Sequence, residues 1–192
     1  EVVRHPLYMI KQEALNMESI VGGVRDFTIY FEHKDMQLPY YVHSWKDLFL
    51  KSNPMERAIY YIDKLTSMSD ELKKKLCGKY SAQILTVPFE QFVLDPWPYI
   101  RKIENMLGTR ATRITRKMMK KQKVPRKRYA EGIGLAIYKR CGWEPPKSGT
   151  DEQQELLLRR EFATKEASAK AMDVLDRLSE KYESTYLKDM DK

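Results

Sequence analysis

Val2-Val3-Arg4-His5-Pro6 brings an apolar, strand-like pair and a helix-starting proline together within five residues. Pro6 has a fixed φ and no N–H, so it suits the first turn of a helix and cannot extend a strand. Leu7, Ile10, Ala14, Leu15 and Met17 follow at spacings that give the helix one apolar side, up to the stop at Gly22-Gly23. The opening therefore reads as the end of a buried strand delivered directly into a helix.

Further along, Phe27 to Val42 alternates and is rich in aromatics around Lys34-Asp35, which predicts a β-hairpin. Asn53-Pro54-Met55-Glu56 predicts a helix start, with Asn as cap, Pro at the first position and Glu at the third. Ser69-Asp70-Glu71 predicts a second, shorter helix that ends near Gly78. Gln83 to Val87 is a short β-rich run, Asp95-Pro96 starts a helix closed by Gly108, and Thr150 to Gln153 starts another that reaches about Ala163. A last helix is expected from about Ser168 to Leu187. The 192 residues, 42% of them hydrophobic and 32% charged, fit one ordinary globular domain, residues 1–192. No apolar run approaches the roughly 20 residues a spanning helix needs. Cys77 and Cys141 lack metal or redox spacing and read as reduced thiols, so a cytoplasmic location is expected.

The net charge of +8 comes from one segment. No acidic residue stands between Glu104 and Glu131, whereas Arg110, Arg113, Arg116, Lys117, Lys120, Lys121, Lys123, Arg126, Lys127 and Arg128 all lie there. Without those ten, 25 basic residues face 27 acidic ones. Such a concentration attracts polyanions: nucleic acid, membrane phosphate or a phosphorylated small molecule.

Two places carry candidate chemistry. Arg4, at a strand end beside a helix N-terminus, offers an anion a bidentate fork and free N–H groups; an Arg paired with a carboxylate would explain the same residue. Lys123, Arg126, Lys127 and Arg128 flank Pro125, which prevents a continuous helix, and a loop so dense in cations can wrap a phosphate monoester or simply form a solvated basic face. His33 and His43 fall in or after the aromatic hairpin, and three scattered His with two distant Cys make no metal site.

Arg4 and Pro6, then Phe89-Glu90-Gln91-Phe92 with Asp95-Pro96 and Leu107-Gly108, then Arg126-Lys127, occur in an order and at separations that resemble the C-terminal portion of sulfotransferases using 3'-phosphoadenosine 5'-phosphosulfate. The resemblance covers most of the chain and is strongest to microbial sulfotransferase-like proteins, which share the Asn-Pro-Met-Glu-Arg helix and the Lys-Arg-Cys-Gly-Trp stretch. It implies an α/β, P-loop-like fold with a central parallel sheet, here mostly helical, with the later strands of that sheet and a small hairpin. Arg4, Gln12, Lys123, Arg126, Lys127 and Arg128 would bind the donor's 3'-phosphate. Gln12 stands where the family has Ser, and Arg128 follows Arg126-Lys127 where the family has Gly.

The family's Gly-rich, Lys-bearing loop for the 5'-phosphosulfate lies upstream of the Arg-x-Pro element, so the chain is expected to supply the 3'-phosphate-binding half. The implied reaction is in-line transfer of a sulfuryl group to a hydroxyl or amine of a small-molecule or carbohydrate acceptor, with positioning and charge stabilisation as the main catalytic devices. Tyr30, Tyr40, Tyr41 and Trp45 are candidate walls of the acceptor pocket, with packing of the hairpin onto the helices as the other explanation. No catalytic residue, metal or membrane partner is assigned. The alternative is a non-catalytic basic module that contacts nucleic acid or another polyanion through residues 110–128, although aromatics are not interleaved with its cations.

Overall fold

The computed structural model of the chain describes residues 1–18, 29–80, 83–128 and 152–187. The expected stops at Gly22-Gly23, the residues from Lys139 to Trp143, Thr150 and Cys141 lie outside the described residues. What is described is mostly helical with two small sheets.

β1 (Val2–Val3) feeds α1 (Pro6–Glu18) across Arg4-His5, as the sequence predicts, but the strand is not buried as expected, since Val2 is 65% exposed. β1 pairs in parallel with β4 (Val87–Pro88), Val2 opposite Val87 and Val3 opposite Pro88. Parallel pairing requires a long crossover, and everything from α1 to α3 supplies it. The hairpin forms from β2 (Tyr30–His33) and β3 (Met36–Pro39), with Phe31 opposite Leu38 and His33 opposite Met36. Lys34 and Asp35 both have positive φ, 48° and 61°, as the tight turn matching strand twist demands. The second strand stops at Pro39, and Tyr40–Trp45 form a 3₁₀ helix leading into α2 (Lys46–Lys51).

α3 (Pro54–Tyr80) begins with a reciprocal cap: Asn53 Oδ1 accepts the Glu56 N–H at 2.9 Å, and the Asn53 N–H donates to the Glu56 carboxylate at 3.2 Å. The expected break at Ser69 does not occur, and α3 is a single helix of 27 residues. Ser and Asp favour caps only where the backbone is free to leave the helix. Here neither Gly nor Pro interrupts Thr66 to Ser69, and the last helix braces the stretch, with Arg177 on Asp63 at 2.8 Å and Lys181 on Asp70 at 2.5 Å. After β4 come α4 (Phe89–Leu94), α5 (Trp97–Leu107), α6 (Arg113–Lys121), α7 (Glu152–Thr164) and α8 (Ala169–Tyr186).

The main core lies between α1, α3 and α8. Ile10 and Met17 meet Ile59, Ile62, Leu175 and Leu178 there, and the 3₁₀ helix and α2 add Val42, Trp45 and Phe49. A smaller cluster of Tyr8 and Val93, with Phe89, Phe92 and Val124 against it, holds α4 and the cationic loop to α1.

Candidate functional site

The site forms where β1 ends. Arg4 leaves the strand and lays its guanidinium carbon 4.6 Å from the centre of the Phe89 ring, in the first turn of α4. Arg126 arrives at the same ring from the cationic loop, at 5.7 Å. Two packing contacts bring it there. Val124 joins the small cluster around Phe89, and the Arg126 N–H donates to the Val93 carbonyl at 2.6 Å. Arg4 and Arg126 thus share one aromatic neighbour, which suits a planar guanidinium in either position.

Glu90 organises the inner side of the site. It is 2% exposed, yet it carries a carboxylate that accepts the His5 N–H at 3.2 Å and the Tyr182 hydroxyl at 2.5 Å. Its other oxygen faces Arg4 Nε at 3.6 Å, and neither of those two atoms makes a hydrogen bond. The carboxylate partner that would explain Arg4 without any ligand is therefore present. Arg4 is nevertheless 36% exposed, so its side chain is not sealed in, although its Nε is buried.

The helix N-terminus is not open, contrary to the expectation from sequence. The His5 N–H goes to Glu90, the Leu7 N–H donates to His5 Nδ1 at 3.2 Å, the Tyr8 N–H donates to the His5 carbonyl, and Pro6 has no N–H. The protein's own carboxylate occupies the place an incoming anion would take at the start of α1.

His5 is buried, its Nε2 3.0 Å from Glu183. Because Nδ1 accepts from Leu7, the proton belongs on Nε2, where Glu183 accepts it. Burial holds the imidazole pKa below its usual value, against the opposing pull of Glu183 and Glu90. His5 is thus a neutral core histidine between α1 and α8.

The other phosphate-binding candidates are placed differently. Gln12 sits in the second turn of α1, about 9 Å along the axis from Pro6, and its amide donates to Asn16 at 3.2 Å. Lys123, with φ 53°, and Lys127 and Arg128 stay on the surface, while Arg126 is half-buried. Gln91, in the same short helix, donates to the Tyr186 carbonyl and accepts the Tyr99 hydroxyl, tying α4 to α8 and α5.

The four aromatic candidates do not gather around Arg4. Trp45 is buried in the main core, edge-on to Phe49, and its indole N–H donates to the Tyr41 carbonyl at 3.0 Å. Tyr41 packs on Tyr61, Tyr40 stacks on His43 with its side chain exposed, and Tyr30 begins β2. None of them lines the cleft of about 440 Å³ that opens beside Arg4 between β1, α3 and α8. Lys73 and Lys181 on its walls are already paired, with Glu1 and Asp70 respectively.

Glu90 is the residue that sequence reasoning undervalued. The only signal for it was an acid set between Phe89 and Phe92 in a run otherwise explained by a strand, a turn and a helix. No family model, no curated protein and no solved structure matches the chain. Among the described residues no group of His, Cys, Asp or Glu could hold a metal ion, and no helix is long and apolar enough to cross a membrane.

Proposed function

We propose that the chain is the 3'-phosphate-binding part of a sulfotransferase that moves a sulfuryl group from 3'-phosphoadenosine 5'-phosphosulfate to a hydroxyl or amine acceptor, within a P-loop-like α/β fold. The observation that carries this reading is the meeting of Arg4 and Arg126 at the Phe89 ring, two cations from distant parts of the chain that the resemblance assigns to one phosphate. The parallel pairing of β1 with β4 supports it as well, because it sets the end of the Arg4 strand beside α4.

In this reading the 3'-phosphate approaches from the outer side of Arg4, since Glu90 fills the inner side. The fixed guanidiniums hold the donor in register, and binding energy from this remote phosphate is used to orient the sulfuryl group for in-line attack. Glu90 is a positioning residue that aims Arg4. Exposed Lys127 and Arg128 add longer-range attraction for the dianion.

Calorimetric titration of the full chain with 3'-phosphoadenosine 5'-phosphate, and separately with adenosine 5'-phosphate, tests the proposal. It predicts saturable one-to-one binding of the first that survives moderate salt, and binding of the second weaker by at least roughly tenfold, the worth of one charge-assisted contact pair. Equal affinity for the two nucleotides, or no binding of either, would overturn it.

A further inference from the structure

Five of the cations ahead of Arg126 lie on α6. α6 starts with a complete capping box: Thr112 Oγ1 accepts the Ile114 N–H at 3.2 Å and the Thr115 N–H at 3.5 Å, and Thr115 Oγ1 accepts the Thr112 N–H at 3.2 Å. Local chemistry therefore fixes where the helix begins, and so which side chains share a side. At 100° per residue, Ile114, Thr115, Met118 and Met119 fall on one side, and Arg113, Arg116, Lys117, Lys120 and Lys121 on the other. Ile114 is 72% exposed and Met118 47%. Arg116 lies 5.6 Å from the Trp97 ring, whereas Arg113, Lys117, Lys120 and Lys121 make no ion pair among the described residues.

We infer that α6 docks on an anionic phospholipid surface, lying in the plane of the interface with Ile114 and Met118 inserted and its lysines and arginines among the headgroups. Separated cationic and aliphatic sides, both in water, are what such a helix needs. A nucleic acid would use the cations alone and would leave Ile114 and Met118 solvated. It would also call for stacking aromatics, and residues 109–128 contain none. The sequence expectation of no membrane partner rests on the missing spanning run, which has no bearing on a helix that lies flat. This inference does not rest on the nucleotide site: Arg116 of α6 packs on Trp97, whereas Arg4 and Arg126 pack on Phe89.

Co-sedimentation of the full chain with phosphatidylcholine vesicles, with mixed phosphatidylcholine–phosphatidylserine vesicles and with a single-stranded oligonucleotide tests the inference. The chain should pellet with the mixed vesicles and not with phosphatidylcholine alone. Lys120→Gln with Lys121→Gln should lower partitioning roughly fivefold per charge removed. Ile114→Gln with Met118→Gln, which keeps the charge, should lower it by at least about tenfold. All four positions are exposed, and circular dichroism checks that the variants keep the fold. The idea fails if the chain stays in the supernatant with mixed vesicles, if the Ile114/Met118 variant partitions like the parent, or if only the oligonucleotide is bound.

Discussion

The Arg4 guanidinium stands 3.6 Å from the Glu90 carboxylate, and it is the carboxylate that is sealed in, at 2% exposure against 36%. A buried charge persists only when paired and hydrogen-bonded, and Glu90 draws on three elements for this: Arg4 at the end of β1, the His5 N–H ahead of α1 and the Tyr182 hydroxyl of α8. Removing one donor to such a charge costs about 2 kcal/mol. Tyr182→Phe should destabilise the chain by that amount in urea denaturation, and Glu90→Gln by a similar amount. A Tyr182→Phe protein with an unchanged midpoint would show that the hydroxyl contributes nothing to holding α8 against α4.

His5 predicts a pH dependence. Its pKa is held down by burial in the folded chain, so the unfolded chain takes up the proton first as pH falls. The stability is complete above the ordinary imidazole value of about 6.5 and declines below it, by up to about 1.4 kcal/mol for each pH unit until the folded pKa is reached. His5→Asn should flatten the curve in this window. Asp70 and Glu56 have pKa values lowered chiefly by hydrogen bonds from Lys181 and Ser168, and their contribution is lost only at more acidic pH, below the ordinary carboxylate range. Equal slopes for parent and His5→Asn between pH 6.5 and 5.5 would contradict the assignment of a neutral buried imidazole.

Gly108 closes α5 at φ 62°, where its N–H reaches back to the Glu104 carbonyl. A Cβ added there would meet nothing within 4 Å, so any cost of substitution is backbone strain alone. Gly108→Ala should lose about 1 kcal/mol in thermal denaturation and Gly108→Asn less, because Asn tolerates the left-handed region. Equal losses for the two would point to a steric cause.

Leu175 is fully buried in the core shared by α1, α3 and α8. Leu175→Ala should cost about 2–5 kcal/mol, whereas Leu157→Ala, at an exposed position, should lie within about 0.5 kcal/mol of the parent. The comparison of denaturation midpoints measures how far this three-helix core carries the fold.

Local signals were legible wherever the chemistry is local. The Asn53–Glu56 cap, the Lys34-Asp35 turn and the Gly108 stop each involve residues within a few positions of one another. The continuity of α3 was hidden because Arg177 and Lys181, more than a hundred residues later, brace it. Trp45 reads as a pocket wall until the 3₁₀ helix after Pro39 turns it into the core. The closure of the α1 N-terminus was equally hidden, since Glu90 reaches His5 across 85 positions. Arg4 and Arg126 were legible as a pair only through resemblance, and Val124 and the Val93 carbonyl, which bring Arg126 to Phe89, carry no such signal in sequence.

The most direct test of the central claim is the affinity of Arg4→Gln and Arg126→Gln for 3'-phosphoadenosine 5'-phosphate, measured beside adenosine 5'-phosphate, with folding of each variant checked by circular dichroism. If the two guanidiniums hold one 3'-phosphate, each substitution lowers affinity for the first nucleotide by roughly tenfold or more and leaves the second unchanged. Loss of both affinities in equal measure, or of neither, would contradict a 3'-phosphate site at Arg4 and Arg126.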